Sequence, residues 1–269
     1  MPERRVITGF SNPTVKFMRA LRDKKHRRRE QRFLAEGLRL LTDARECGKV
    51  PELLAMATNR EPHPLLTALE DAVFAAGGDV VEMDEAVLGK VTGKDNPQAV
   101  AGVFAEFDTS LARLDQTAAP IWLVAQALRD PGNLGTMLRT CDAVGAGGLI
   151  LLDDCTDPFS VEAVRASMGA VFTQRIATAR WDEFIGWLRS GPGQLVAASL
   201  RDPTDYREAP YAPPCFLLIG NESQGLPAAY EAACDLRVRI PMLGRADSLN
   251  AAVAGAVLAY EALARIGRP

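Results

Sequence analysis

From Pro120 onward the chain alternates short apolar runs with helix-patterned segments, and this alternation constrains the fold more than any other feature. IWLVAQAL, GLILLDD, QLVAAS, CFLLIGNE and DLRVRIPM read as strands. NLGTMLRTCDAVGA, SVEAVRASMG, WDEFIGWLRS, LPAAYEAAC and SLNAAVAGAVLAYEALARI read as helices. Strands that are apolar on both faces and separated by helices build a parallel sheet covered on both sides. Residues 33–107 alternate in the same way. FLAEGLRLLTDAREC is a strand end running into a helix that Gly48 stops, and VPELLAMA is strand-like. HPLLTALEDAVFAAGG is a helix, DVVEM a strand, DEAVLGKVTG a short helix and AVAGVFAEF a strand. Residues 108–119 (DTSLARLDQTAA) lose the pattern. The expected organisation is an α/β domain over 1–107, a linker over 108–119 and a second α/β domain over 120–269.

Charge is distributed unevenly. The net charge is −3, which argues against a nucleic-acid binder until it is mapped. Residues 1–33 hold eleven Lys/Arg against three Asp/Glu, a local net of +8, and the remainder carries −11. Asn12 or Ser11 can cap a helix whose first residue is Pro13. A basic cluster follows, containing Lys24, Lys25, Arg27, Arg28 and Arg29. Such a run is either a solvated helix face or a phosphate-binding segment, since clustered cations bind nucleic acid by counterion release.

Other chemistries lack parts. The five cysteines are odd in number and form no CxxC, so they read as reduced, mostly buried thiols rather than a disulfide framework or zinc site, and no metal is expected. His26 and His63 lie far from one another and from the polar segments described below, which leaves no histidine for nucleophilic or metal chemistry there. No apolar run approaches the roughly 18 residues of a membrane span, and MPERRVITGF has no signal-like apolar stretch. A cytoplasmic protein is expected.

Three segments sit at strand ends, where parallel sheets bind ligands. In RDPGNLGTMLRTCDAVGA, residues 129–146, Asn133 can cap the helix. Leu134, Met137, Leu138, Cys141 and Val144 make its apolar stripe, and Arg139 lies off that stripe. In LLIGNESQGLP, residues 217–227, an apolar strand enters a turn carrying Gly220, Asn221, Glu222 and Gly225. In RIPMLGRADSLNAAVAGAVLAYEA, residues 239–262, Asp247 or Ser248 is the expected N-cap. The small residues Ala251, Ala252, Ala254, Gly255 and Ala259 mark either dense internal packing or a close contact between subunits.

Taken in order, DPGNLGTMLRT, GNESQGL and IPMLGRADSLNAAVA resemble the three motifs of the SpoU (TrmH-like) branch of the SPOUT RNA methyltransferase superfamily. SNPTVKFMRAL through FLAEGLRLL resembles, more loosely, the small α/β substrate-binding domain of many members. The resemblance implies a five- or six-stranded parallel sheet with a trefoil knot, S-adenosylmethionine as cofactor, and a homodimer. It implies transfer of a methyl group to a ribose 2′-hydroxyl of RNA, with rRNA favoured because the extra N-terminal module suits members acting on it. A tRNA substrate and a non-catalytic RNA-binding or assembly factor are the alternatives. By position it assigns Asn133, Arg139, Glu222, Ser248 and Asn250 to catalysis. The cofactor falls to Gly220, Asn221, Ile240 and Leu249, with Leu218 and Ser199 beside them. A guanidinium holds its proton tightly, so Arg139 is read as a phosphate clamp rather than a base. Asn133, Ser248 and Asn250 orient the ribose, and Glu222 orders its loop or accepts a proton weakly.

Overall fold

A computed structural model describes residues 4–221 and 224–267. The chain forms two compact units. One comprises the residues up to Phe107 together with Phe159–Thr173; the other comprises Asp108–Pro158 and the chain from Gln174.

The first unit runs β1 (Arg5–Ile7), α1 (Pro13–Ala20), α2 (Lys24–Glu30), β2 (Arg32–Glu36), α3 (Leu38–Glu46), β3 (Leu53–Ala57), α4 (Pro64–Ala75), β4 (Asp79–Met83), α5 (Glu85–Thr92) and β5 (Val100–Ala105). Its five strands lie in the order β1-β4-β3-β5-β2, with β5 antiparallel to both its neighbours. The helix starts follow local chemistry: Asn12 caps α1 ahead of Pro13, and Asp23 caps α2. The strand β1 and the helix α2 were not legible in the alternation; β1 has three residues, and α2 is almost wholly charged. Leu34, Ala55, Val81 and Val103 line the core between sheet and helices.

The second unit continues β6 (Ile121–Gln126), α6 (Pro131–Val144) and β7 (Leu149–Leu152). Two short helices, α7 (Val161–Ala166) and α8 (Ala170–Thr173), cluster with the first unit, where Phe159 and Phe172 pack on Phe33. The chain then makes β8 (Ile176–Ala179), α9 (Trp181–Arg189), β9 (Gln194–Ala198), β10 (Thr204–Asp205), β11 (Cys215–Ile219), α10 (Ala228–Ala232), β12 (Leu236–Arg239) and α11 (Ala251–Ile266). Residues 108–119 are no loose linker. They hold two 3₁₀ turns, and the Gln116 carbonyl accepts a hydrogen bond of 2.9 Å from Trp122 Nε1.

All seven strands are parallel, in the order β10-β12-β9-β11-β6-β7-β8. Seven replaces the expected five or six; the short strands β8 and β10 complete the count. Trp122 on β6 stacks on Phe216 of β11 at 5.7 Å between ring centroids, and both are fully buried. Gly147 must lack a side chain, because a Cβ there would lie 2.3 Å from the Trp122 ring. The order of strands reverses beside β6: β7 and β8 extend to one side, β11 and β9 to the other. At such a switch, loops leaving neighbouring strands diverge and open a crevice beyond the carboxyl ends.

Candidate functional site

Three loops meet at that crevice. The first leaves β6 through Ala127, a non-glycine residue at φ +49. Asp130, not Asn133, caps α6: its Oδ1 accepts from the Asn133 N–H at 2.6 Å. Asn133 is therefore the third helical residue, and its side chain is not the cap. The apolar stripe of α6 is buried as expected, whereas Arg139 is exposed and makes no hydrogen bond or ion pair among the described residues.

The second loop follows β11. Asn221 Nδ2 donates to the Ala127 carbonyl at 2.9 Å, fastening this loop to the first. Asn221 also closes its own turn, its carbonyl accepting from the Gly225 N–H at 2.9 Å. Gly220 is required by this closeness: a Cβ would lie 2.7 Å from the Gly225 carbonyl carbon and 2.9 Å from the Leu226 nitrogen. Glu222 lies outside the described residues.

The third loop leads into α11. The cap is Asn250 rather than Asp247 or Ser248; its Oδ1 accepts from the N–H groups of Ala252 and Val253 at 3.0 and 3.3 Å. Its Nδ2 donates to Asn133 Oδ1 at 2.8 Å, joining residues 117 apart in the chain. One amide thus closes a helix start and binds the third loop to the first. The small residues of α11 resolve in favour of internal packing. Ala251, Ala252, Gly255 and Ala259 are buried, and the helix packs on α6, β6 and β11. The opposite face leaves Val253 and Tyr260 exposed.

Between the second and third loops lies a cavity of about 460 Å³, walled by the carboxyl ends of β9, β11 and β12. Ser199, Gly220, Asn221, Ile240, Ser248 and Leu249 all line it. Leu218 does not. It is wholly buried, with its side chain in the core beside Trp122 and Phe216, because neighbouring residues of a strand face opposite ways and the adjacent Ile219 reaches the cavity. Asn133, Arg139 and Asn250 are not part of the cavity wall.

Sequence reasoning missed Glu231. This α10 residue is 6% exposed and lines the cavity. Its Oε1 accepts from Ser199 Oγ at 2.5 Å, and its Oε2 faces Arg201 Nε at 3.1 Å without a hydrogen bond. The available signal was a carboxylate at a helix position surrounded by alanines. No histidine lines the cavity. Thiol chemistry is unsupported as well: burial pushes Cys155 up to about 11 and Cys215 up to about 12. None of the five cysteines forms a disulfide, and Cys47 is exposed.

The basic cluster divides. Lys24, Lys25, Arg28 and Arg29 are exposed, and Arg29 pairs with Glu30. Arg27 is 2% exposed and donates from Nη1 to the carbonyls of Leu21 and Arg22 at 2.9 and 2.8 Å. Its assignment to RNA is therefore corrected, since its guanidinium is spent on tying α2 to the end of α1.

A parallel sheet whose switch point carries these three interlocked loops defines the class of SPOUT-type RNA methyltransferases. The chain belongs to the SpoU rRNA Methylase family, whose family model matches residues 120–260; the model of an MRM3-like substrate binding domain matches residues 12–102. It is 32% identical to the 23S rRNA (guanosine(2553)-2′-O)-methyltransferase RlmP of Bacillus subtilis, covering 94% of this chain and 97% of that one. It is 30% identical to the 23S rRNA (uridine(2479)-2′-O)-methyltransferase of Streptomyces viridochromogenes, covering 97% and 93%. The crystal structure of an AdoMet-bound rRNA methyltransferase from Sinorhizobium meliloti superposes with a TM-score of 0.91 at 40% identity, covering 98% of this chain and 99% of that one.

Proposed function

We propose that the chain transfers a methyl group from S-adenosylmethionine to a ribose 2′-hydroxyl of rRNA, as a cytoplasmic homodimer with a knotted second domain. The observation that carries this reading is the Asn133–Asn250 hydrogen bond, which together with Asn221–Ala127 draws three loops distant in sequence around one cavity. The cavity suits this cofactor. Its volume falls in the range of small-molecule sites, and Ile219, Leu226, Ile240 and Leu249 offer apolar walls for a purine. Glu231, held between Ser199 Oγ and Arg201 Nε, gives the cavity a polar wall beside the apolar ones. The bound donor supplies a methyl group on a cationic sulfur.

The ribose oxygen forms the new bond to carbon as the bond to sulfur breaks, and its proton must leave. With no histidine in the wall, Arg139 acts as a clamp on the adjacent phosphate, which or whose bound water takes the proton. Asn133, Ser248 and Asn250 hold the ribose, and Glu222 orders the second loop. Residues 1–107 form the RNA-binding domain, gripping phosphates through Lys24, Lys25, Arg28 and Arg29. The exposed α11 stripe of Val253 and Tyr260 serves the dimer contact. Relatives named for rRNA span nearly the whole chain, which favours rRNA over tRNA.

The test is mapping of 2′-O-methyl positions in total RNA from cells with and without the protein. A single rRNA ribose that loses its methyl group is expected. A change confined to tRNA, or none, overturns the rRNA assignment.

A further inference from the structure

An ion pair between a buried carboxylate and an exposed guanidinium lines the donor cavity: Glu231 of α10 against Arg201, just past β9. We infer that Arg201 binds the carboxylate at the amino-acid end of the methyl donor, and that Glu231 holds its guanidinium in position to do so. The inference rests on the donor reading above and adds a specificity-determining residue to it.

The pair is built so that the cation is reachable and the acid is not. The Glu231 side chain is 7% exposed and that of Arg201 62%. Glu231 Oε1 accepts from Ser199 Oγ at 2.5 Å, and Oε2 faces Arg201 Nε at 3.1 Å. Ser199 Oγ in turn accepts from the Arg201 N–H at 3.0 Å, which turns the chain sharply after β9. Arg201 is thus anchored at its backbone and at its Nε edge. A buried ion pair adds little net stability, because desolvation offsets its attraction; what this one provides is orientation. Nη1 and Nη2 make no hydrogen bond among the described residues. With Nε turned to Glu231, these two groups form an open fork that matches the two oxygens of a carboxylate. Holding a long side chain beforehand reduces the entropy lost when the fork is filled.

The donor carries one anionic group, its carboxylate, while its sulfur and amino group are cationic. Ile219, Leu226, Ile240 and Leu249 suit the purine, and a guanidinium in the same wall attracts the carboxylate alone. Arg239 also lines the cavity, but it is exposed and no hydrogen bond or ion pair fixes its guanidinium among the described residues. The strand β9 stands across β11 from β6, whose loop leads into α6 and Arg139. A cation past β9 therefore holds the donor's tail without crowding the sulfonium at the reacting end.

The test is calorimetric titration of the full chain with S-adenosylmethionine and with its decarboxylated analogue, which lacks that one group. The wild type should bind the analogue about tenfold more weakly. Arg201→Gln should lower affinity for S-adenosylmethionine about tenfold and leave affinity for the analogue unchanged, so that the preference vanishes. Arg201→Lys, which keeps the charge without the fork, should restore it in part. Glu231→Gln should shrink the preference, with melting followed in parallel to register the loss of the buried pair, and Arg239→Gln should leave the preference whole. A wild type that binds both molecules alike, or a preference that survives Arg201→Gln or vanishes with Arg239→Gln, sinks this site alone. A preference untouched by Glu231→Gln overturns its positioning role. Binding of neither molecule by the wild type overturns the donor reading, and this site with it.

Discussion

The loops of the second unit and the basic segment of the first both carry polar residues, but they use them in opposite ways. At the loops, Asn133, Asn221 and Asn250 spend their amides on one another and on backbone, whereas Arg139 on α6 projects without a partner among the described residues. In α2 most cations are exposed, and Arg27 alone is buried on backbone carbonyls. Positioning thus comes from neutral, short-range hydrogen bonds that fix geometry, whereas attraction for a polyanion comes from solvated charge that fixes none. In each region one arginine departs from the polar residues around it.

The largest expected effect breaks that comparison at Arg139. Arg139→Ala should lower methyl transfer about 10²- to 10³-fold, as for other donors aimed at developing charge, while donor affinity and melting temperature stay unchanged. Wild-type turnover in a labelled-methyl assay would remove Arg139 from the chemistry. At the other exception, Arg27→Ala leaves two carbonyls without their donor and should cost about 1–3 kcal/mol in denaturant unfolding, with little change in salt slope. The combined change of Lys24, Lys25 and Arg28 to Ala should do the reverse, flattening the slope without altering stability. If Arg27→Ala flattened the slope as the triple variant does, the division within α2 would fail.

A smaller effect tests the interlock itself. Asn250→Ala removes a helix cap, at about 1 kcal/mol, and the bond to Asn133. A double-mutant cycle with Asn133→Ala should give a coupling of about 0.5–1.5 kcal/mol; zero coupling would mean that the two loops are held by other contacts. The smallest effect concerns pH. Burial raises Cys155 to about 11 and Cys215 and Cys234 to about 12, from a usual 9.0. The unfolded chain therefore loses these protons first. Stability should be level through neutral pH and fall as pH rises from about 9 toward 11–12. A fall beginning below pH 8 would need another cause.

The strands of both sheets were legible because apolar runs broken by glycine and polar turns have few alternatives. The short strands β1, β8 and β10 were not, since two to four residues hold no period. Caps shifted by two or three positions: Asp130 for Asn133 and Asn250 for Ser248. Each helix entry offers several residues able to cap, and only the backbone path decides among them. The grouping of Phe159–Thr173 with the first unit was equally hidden, because an amphipathic helix does not announce which sheet it covers. Buried charge was the least legible. Arg27 and Glu231 look like surface residues in sequence, and only the carbonyls around one and the serine against the other give them their places.

Calorimetric titration of the purified chain with S-adenosylmethionine tests the central claim most directly. One donor per chain should bind to the wild type, and Gly220→Ala should abolish the heat, because the added carbon collides with the Gly225–Leu226 backbone that forms the wall. No heat from the wild type, or undiminished affinity in the variant, would contradict a donor site built from these loops.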